Sequence, residues 1–292
     1  MNMLAKWWEV KNGKIHCLLC PNMCLIQENS LGKCGIRKNI NGKLYSLGYA
    51  RPVALQIDPI EKKPLNNFLQ GTKTFSLGTN GCNLSCKFCQ NHHISQVQYT
   101  QNSLKTNYKA EEIVKLSIKN KCSSISFTYN EPIIWGEYLI EIAQIAKKNY
   151  LSTVLVSNAY VNKQAAEEIF QYIDAANFDM KGFSEDFYSE MTGGHLLPVL
   201  EAIKYFYSLG KHLELTNLII PGKNDSINMI ENYLDWVASE LDKSITLHFS
   251  AFHPDYKYFQ SPATPNATLF SIKQLAEKKG FTNIYLGNII NL

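Results

Sequence analysis

Cys82, Cys86 and Cys89 stand in the run Gly81-Cys82-Asn83-Leu84-Ser85-Cys86-Lys87-Phe88-Cys89-Gln90-Asn91, a C-x3-C-x2-C spacing with an aromatic before the last thiol. Thiolates are the usual protein ligands of iron–sulfur clusters, and a [4Fe–4S] cube normally takes four of them. Three thiols hold three irons and leave the fourth open to an outside chelate. An odd number also argues against disulfides, which consume cysteines in pairs. A zinc knuckle short of one ligand and thiols scattered through a core are the alternatives. Spacing, Phe88 and the flanking Gly-Cys-Asn agree on the cluster.

A second set, Cys17, Cys20, Cys24 and Cys34, follows C-x2-C-x3-C-x9-C in a turn-rich stretch. Four thiols are the complement of a closed tetrahedral metal site. Zinc and a second iron–sulfur cluster both fit, the first as a structural brace and the second as a relay of electrons inward. The spacing is not the run of bacterial ferredoxins. Eight cysteines behind an N-terminus without an apolar signal-peptide run point to metal ligation in a reducing compartment, so a cytoplasmic protein is expected. The net charge of +4, from 29 Lys and Arg against 25 Asp and Glu, contains no basic block and does not call for nucleic acid. No stretch is long and apolar enough to call for a membrane.

The elements that must position these thiols show in the apolar pattern. Strand-like runs fall at 75–79, 124–129, 152–157, 176–180, 213–220, 245–249 and 283–286. Helical patterns at 110–119, 135–148, 163–172, 197–208, 226–241 and 269–279 lie between them. Such alternation implies parallel strands with crossover helices, and here a partial (βα)6 TIM-like barrel in the α/β class. The expected division is a small Cys-rich N-terminal segment, 1–72, with a metal site, and the barrel, 73–292. Barrel chemistry sits at the C-terminal ends of strands, which makes the polar residues just past each run the site candidates.

The first cysteine motif, placed after a strand, resembles the signature of the radical S-adenosylmethionine (SAM) enzymes. The resemblance implies that SAM chelates the open iron and that one electron cleaves its sulfonium. The 5′-deoxyadenosyl radical so formed abstracts hydrogen from a substrate. It also implies an electron donor such as flavodoxin or ferredoxin. Asn91, two positions after the third cysteine, matches a residue near SAM in the glycyl-radical-activating branch. Relatives carry Gly-Gly-Glu-Pro where this sequence has Tyr129-Asn130-Glu131-Pro132, so the backbone approach that glycine permits is weakened. Glu131 remains as an acceptor for SAM's ammonium, or as the start of the next helix. Asn158 stands where SAM's ribose or carboxylate is reached, or else caps the helix near Lys163. Asp179 and Lys181 match an Asp-x-Lys motif, with Lys181 facing SAM's carboxylate, and strand alternation puts both on one face. His248 matches a histidine beside the ribose, and His253 faces the substrate in this reading. No catalytic residue of the chain itself is singled out.

The N-terminal set narrows the family. Cys17-Leu18-Leu19-Cys20-Pro21-Asn22-Met23-Cys24, Gly35-Ile36-Arg37 and Asp58-Pro59-Ile60-Glu61-Lys62-Lys63-Pro64-Leu65 together resemble the radical SAM member of the AmmeMemoRadiSam system, kin to the activating enzyme of pyruvate formate-lyase. An aromatic and a His often follow that last run, where this sequence has Asn66-Asn67. The kinship leaves three functions open: hydrogen abstraction from a small molecule, activation of a partner protein at a backbone glycine, and a non-catalytic iron–sulfur or zinc scaffold.

Overall fold

Each of the seven apolar runs becomes a strand. The computed structural model describes residues 3–99 and 107–289. The main sheet begins with β1 (Ala54–Pro59) and continues through β2 (Lys73–Gly78), β3 (Ser124–Phe127), β4 (Ser152–Ser157), β5 (Ala175–Asp179), β6 (His212–Ile219), β7 (Thr246–Ala251) and β8 (Ile284–Gly287). Neighbours in sequence are neighbours in the sheet. All pairs from β2 to β8 are parallel, and β1 runs antiparallel to β2 at the edge. The crossovers are α1 (Ala110–Lys119), α2 (Gly136–Lys148), α3 (Lys163–Phe170), α4 (Leu196–Ser208), α5 (Ile227–Glu240) and α6 (Asn266–Lys278). This is the expected partial barrel, with one more strand. Among the described residues no helix is long and apolar enough to cross a membrane.

The N-terminal segment makes two small three-stranded antiparallel sheets. Their hairpins turn at Asn12-Gly13 and Asn41-Gly42, where both residues take the positive φ that a two-residue primed turn requires. The same segment supplies β1, a strand not foreseen because Ile57 is exposed and leaves no clean alternation. Two boundaries also move. β3 stops at Phe127, because Tyr129 has φ +72°, a left-handed conformation that cannot continue a strand. β5 stops at Asp179, so Lys181 lies beyond the strand.

Period-two alternation separates the faces of the sheet. Phe127, Leu155, Phe178, Leu215 and Phe249 are fully buried in the apolar core. There Phe206 meets Phe170 and Phe178 edge-on at 5.3 and 5.2 Å. The residues between them form polar contacts inside the barrel. Thr74 Oγ1 lies 2.6 Å from Ser126 Oγ, and Thr216 donates to Asn177 Oδ1 at 2.8 Å.

A strap of the N-terminal segment crosses the lower end of this interior between β1 and β2. Lys63 pairs with Asp58 at 2.6 Å, and Asn177 donates to the Pro64 carbonyl at 2.7 Å. The backbone N–H groups of Asn66 and Asn67 donate to Glu214 at 3.1 and 2.9 Å. Asn67 also donates to Thr246 Oγ1 and accepts from Tyr285. Ile60 and Leu65 pack on Val154 and Ala175. Glu214 is wholly buried, and Nε2 of His212 and His248 meet its two oxygens at 2.9 and 2.5 Å. Burial pushes its carboxyl up, but these donors outweigh burial and hold it at about 2.

Glu214→Ala removes the acceptor shared by all four donors. The unfolding free energy should fall by roughly 3–5 kcal/mol, the cost of breaking a buried charged set, as read from urea titration. The carboxyl is depressed from its ordinary 4.5, so its contribution is complete above that pH and is lost as pH falls toward 2. The variant's stability should be flatter across that window.

Candidate active site

The cysteine loop leaves the C-terminal end of β2. Ser85 and Lys87 donate backbone N–H groups to Thr192 and Met191 carbonyls at 2.8 and 2.9 Å, tying the loop to the turn Tyr188–Thr192. Leu84 N–H points at Cys82 Sγ from 3.4 Å, and Cys89 Sγ lies 3.0 Å from Ser95 Oγ. Asn91 donates to the Tyr129 carbonyl at 2.9 Å, fastening the far end of the loop to the end of β3.

Where the resemblance leads one to expect paired glycines, this chain uses side chains. Asn130 donates to the Asn80 and Gly81 carbonyls at 3.2 and 2.9 Å and accepts from Thr79 N–H, so it grips the loop just before Cys82. Tyr129 turns into the interior, where its hydroxyl donates to Asp58 at 2.6 Å and Lys63 sits 4.6 Å from the ring centre. Burial raises the Asp58 carboxyl, but Lys63, Tyr129 and Lys62 together hold it well below the usual carboxylate range.

Glu131 takes the second of the roles the sequence offers it, at the start of the turn after β3. It caps the turn Pro132–Trp135 through Ile133 N–H, and it accepts from Ser157 Oγ and Asn158 N–H, both at 2.8 Å. Burial pushes its carboxyl up to about 7 against those bonds. Asn158 does not cap α3, whose N-cap is Asn162. Instead its amide donates to Asn83 Oδ1 at 2.9 Å and lies 3.7 Å from Cys82 Sγ. Asp179 and Lys181 form an ion pair at 2.8 Å. Strand alternation is not the cause. Lys181 folds back from the turn after β5, where Asn224 holds its carbonyl and Asn217 holds that of Met180. Burial pushes the Cys86 thiol up to about 12 against the lowering effect of the Lys181 ammonium.

His248 lies deeper, stacked on Tyr285 and held by Glu214. His253 is half-exposed at the mouth, 3.3 Å from Gln90. The N-terminal thiols lie together beside the loop: Cys17, Cys20 and Cys34 are buried, Cys24 is partly exposed, and none is in a disulfide. Burial pushes Cys20 up to about 12 and Cys34 to about 11. Glu214, Tyr129, Asn83 and Asn22 were not foreseen. Only Tyr129 carried a signal, as the bulky residue in a glycine slot.

The donor set suits a cube. Buried thiols with raised pKa become thiolates only beside a strong positive charge such as iron. A Cβ on Gly81 would stand 2.1 Å from the Cys34 carbonyl and one on Gly194 2.5 Å from Leu84, so the loop is packed tightly on both sides. Among the described residues no three Cys, His, Asp or Glu side chains converge on one ion. A cube does not ask for that, because each thiolate holds a different iron. The charges of Lys181 and Asp179 act on Cys86, and that of Glu131 acts on Cys82.

Comparison with known proteins agrees. The model of the Radical SAM superfamily matches residues 76–237. An uncharacterized protein of Methanocaldococcus jannaschii, MJ0808, is 40% identical over 96% of this chain and 83% of its own length. The 4-hydroxyphenylacetate decarboxylase activating enzyme of Clostridium scatologenes is 27% identical over 47% of this chain, which spans only 44% of that enzyme. The fold is shared with a radical SAM methyltransferase from Sphaerobacter thermophilus, at 13% identity and TM-score 0.57 over 75% of this chain and 67% of that one. It is likewise shared with Streptococcus suis SuiB bound to S-adenosylmethionine, at 15% identity and TM-score 0.55 over 72% and 48%. Motif, barrel and relatives coincide, and the chain belongs to the radical SAM superfamily.

Proposed function

We propose that the chain reductively cleaves SAM at a [4Fe–4S] cluster on Cys82, Cys86 and Cys89, and that the 5′-deoxyadenosyl radical abstracts hydrogen from a substrate bound above the strap. The observation that carries this reading is that opposite charges, Glu131 on one hand and Lys181 with Asp179 on the other, act on the thiols of the loop. SAM's methionine moiety bears an ammonium and a carboxylate. Glu131 is the acceptor for the first, and Lys181, steadied by Asp179, is the partner of the second, each as a charge-assisted bond. Asn158 and Asn91 border the same space, while His248 lines it from below and His253 from the mouth. When bound, the cluster supplies the electron and the SAM-chelating iron. The protein's part is to orient SAM and exclude water.

The N-terminal motifs favour membership in the AmmeMemoRadiSam group, with a small-molecule substrate. A second reading, activation of a partner protein at a backbone glycine, is favoured by relatives named as activating enzymes. Deuterium moving from a candidate substrate into 5′-deoxyadenosine, followed by mass spectrometry, distinguishes the two. The electron donor in either case is a low-potential carrier such as flavodoxin or ferredoxin.

Replacing Cys82, Cys86 and Cys89 together with Ala should abolish SAM cleavage by the reconstituted protein under dithionite. Retained 5′-deoxyadenosine formation in that variant would refute the assignment. Lys181→Met leaves SAM's carboxylate without its partner in a partly desolvated site, a loss of roughly 2–5 kcal/mol. SAM binding by equilibrium dialysis should weaken by well over tenfold, with iron content unchanged.

Glu131 gives the pH dependence. Its carboxyl sits at about 7, so it is mostly neutral at pH 6 and mostly charged at pH 8. SAM affinity should rise across that interval, and Glu131→Gln should flatten the profile. An affinity that falls with pH in the wild type would remove Glu131 from the site.

A further inference from the structure

An open cavity of about 390 Å³ lies at the N-terminal ends of β6, β7 and β8, opposite the strand ends that carry the cysteine loop. Lys211 and His212 border it where β6 begins, Thr246 where β7 begins, and Asn67 from the strap. Ligand pockets run to roughly 300–1,000 Å³, so a small molecule fits. Barrel chemistry belongs to the other end, and the cavity is separate from the candidate active site. No carboxylate is among the described residues that border it.

The polar groups around it have hydrogens to give and too few acceptors. Lys211 is partly buried, and its ammonium donates to the Phe170 carbonyl at the end of α3. It has no carboxylate partner among the described residues. The charges that act on it are Lys147 and Asp174, and these pair with each other at 3.0 Å. Burial and Lys147 push the ammonium down to about 8 against the pull of Asp174, as expected of a cation short of counter-charge. Thr246 is 3% exposed. Its hydroxyl accepts from Asn67 at 2.8 Å, and its own proton has no acceptor among the described residues. His212 gives Nε2 to Glu214 at 2.9 Å, and its Nδ1 has no partner among the described residues. Asp242, the acid nearest in sequence on the approach to β7, is engaged by the Ser244 N–H at 2.6 Å. An ammonium and a buried hydroxyl that lack an acid to serve mark a place for an anion. Leu213 and Ile245, both buried, add an apolar wall for the rest of a ligand.

We propose that this cavity binds the phosphate group of a small phosphorylated molecule, with Lys211 and Thr246 as donors and protonated His212 as a third. A phosphate monoester carries close to two charges at pH 7 and three strong acceptor oxygens, which matches these donors better than a single carboxylate does. The ligand would join the strap to β6 and β7 at the floor of the barrel. Its hold passes inward, because the Asn67 N–H and His212 Nε2 share Oε1 of Glu214, whose Oε2 meets His248 Nε2. The site does not depend on the radical SAM reading above.

Anaerobic calorimetric titration of the full-length reconstituted protein with methyl phosphate should give one saturable site, with a dissociation constant on the order of 1 mM. Sodium chloride at matched ionic strength should give none. Lys211→Met should weaken binding by more than about tenfold, and Lys211→Arg, which keeps a cation that suits phosphate, should restore it. Thr246→Val, which removes one hydroxyl at nearly constant shape, should weaken it by about fivefold to tenfold. Heat that does not saturate, or that chloride reproduces, would overturn the site on the wild type alone, whether or not a variant folds. Lys211→Met binding as tightly as wild type would overturn the assignment of its residues. Binding of inorganic phosphate with exclusion of methyl phosphate would overturn the phosphorylated molecule as ligand.

Discussion

The carboxylate of Glu214 has no water to share its charge with, and the lower half of the barrel is built to supply what water would. Two histidines and two backbone N–H groups converge on it, the latter from a strap more than a hundred residues earlier in the chain. A buried carboxylate costs several kcal/mol unless it is fully bonded. Strap, strand β6 and strand β7 are therefore held in one arrangement. The strap in turn closes the floor of the interior, and Lys63, Asp58 and Tyr129 stand on it, so the cysteine loop above rests on a fixed base.

Above that base the site is held by carboxamides. Asn22, Asn83, Asn91, Asn130 and Asn158 each join two segments of backbone or loop around the thiols. An amide carries both donors and an acceptor on one flat group, so a single residue can secure a carbonyl on one strand end and an N–H on the next. In place of the expected glycine pair, this chain relies on Asn130 for a grip and sends Tyr129 downward. Its backbone adopts a conformation unfavourable for a bulky residue, a strain tolerated where the surroundings fix it.

Much of this was legible in the sequence because it rests on local patterns. The C-x3-C-x2-C run and the strand–helix alternation each report a short-range preference, and each appears where expected. The ion pair of Asp179 and Lys181 was also legible, although its cause is a turn rather than an alternating strand. Glu214 was not. A lone Glu inside an apolar run gives no hint of its four donors, because only His212 is near it in sequence, His248 comes from β7 and two come from a backbone 147 and 148 residues away. Arg37 and Glu137, paired across 100 residues, were hidden for the same reason. β1 escaped because edge strands are half wet and lose their alternation.

The strap also sets an order of events during synthesis. Residues 60–68 leave the ribosome early, but their partners Glu214 and Thr246 are made some 150 to 180 residues later. Contacts of such separation form slowly, because a long loop must close before they are rewarded. Until β6 and β7 exist, β1 has only β2 to pair with and the four N-terminal thiols have no barrel to pack against. The nascent chain thus carries a cysteine-rich segment that is open to metal, or to the wrong metal, well before the fold that encloses it is complete.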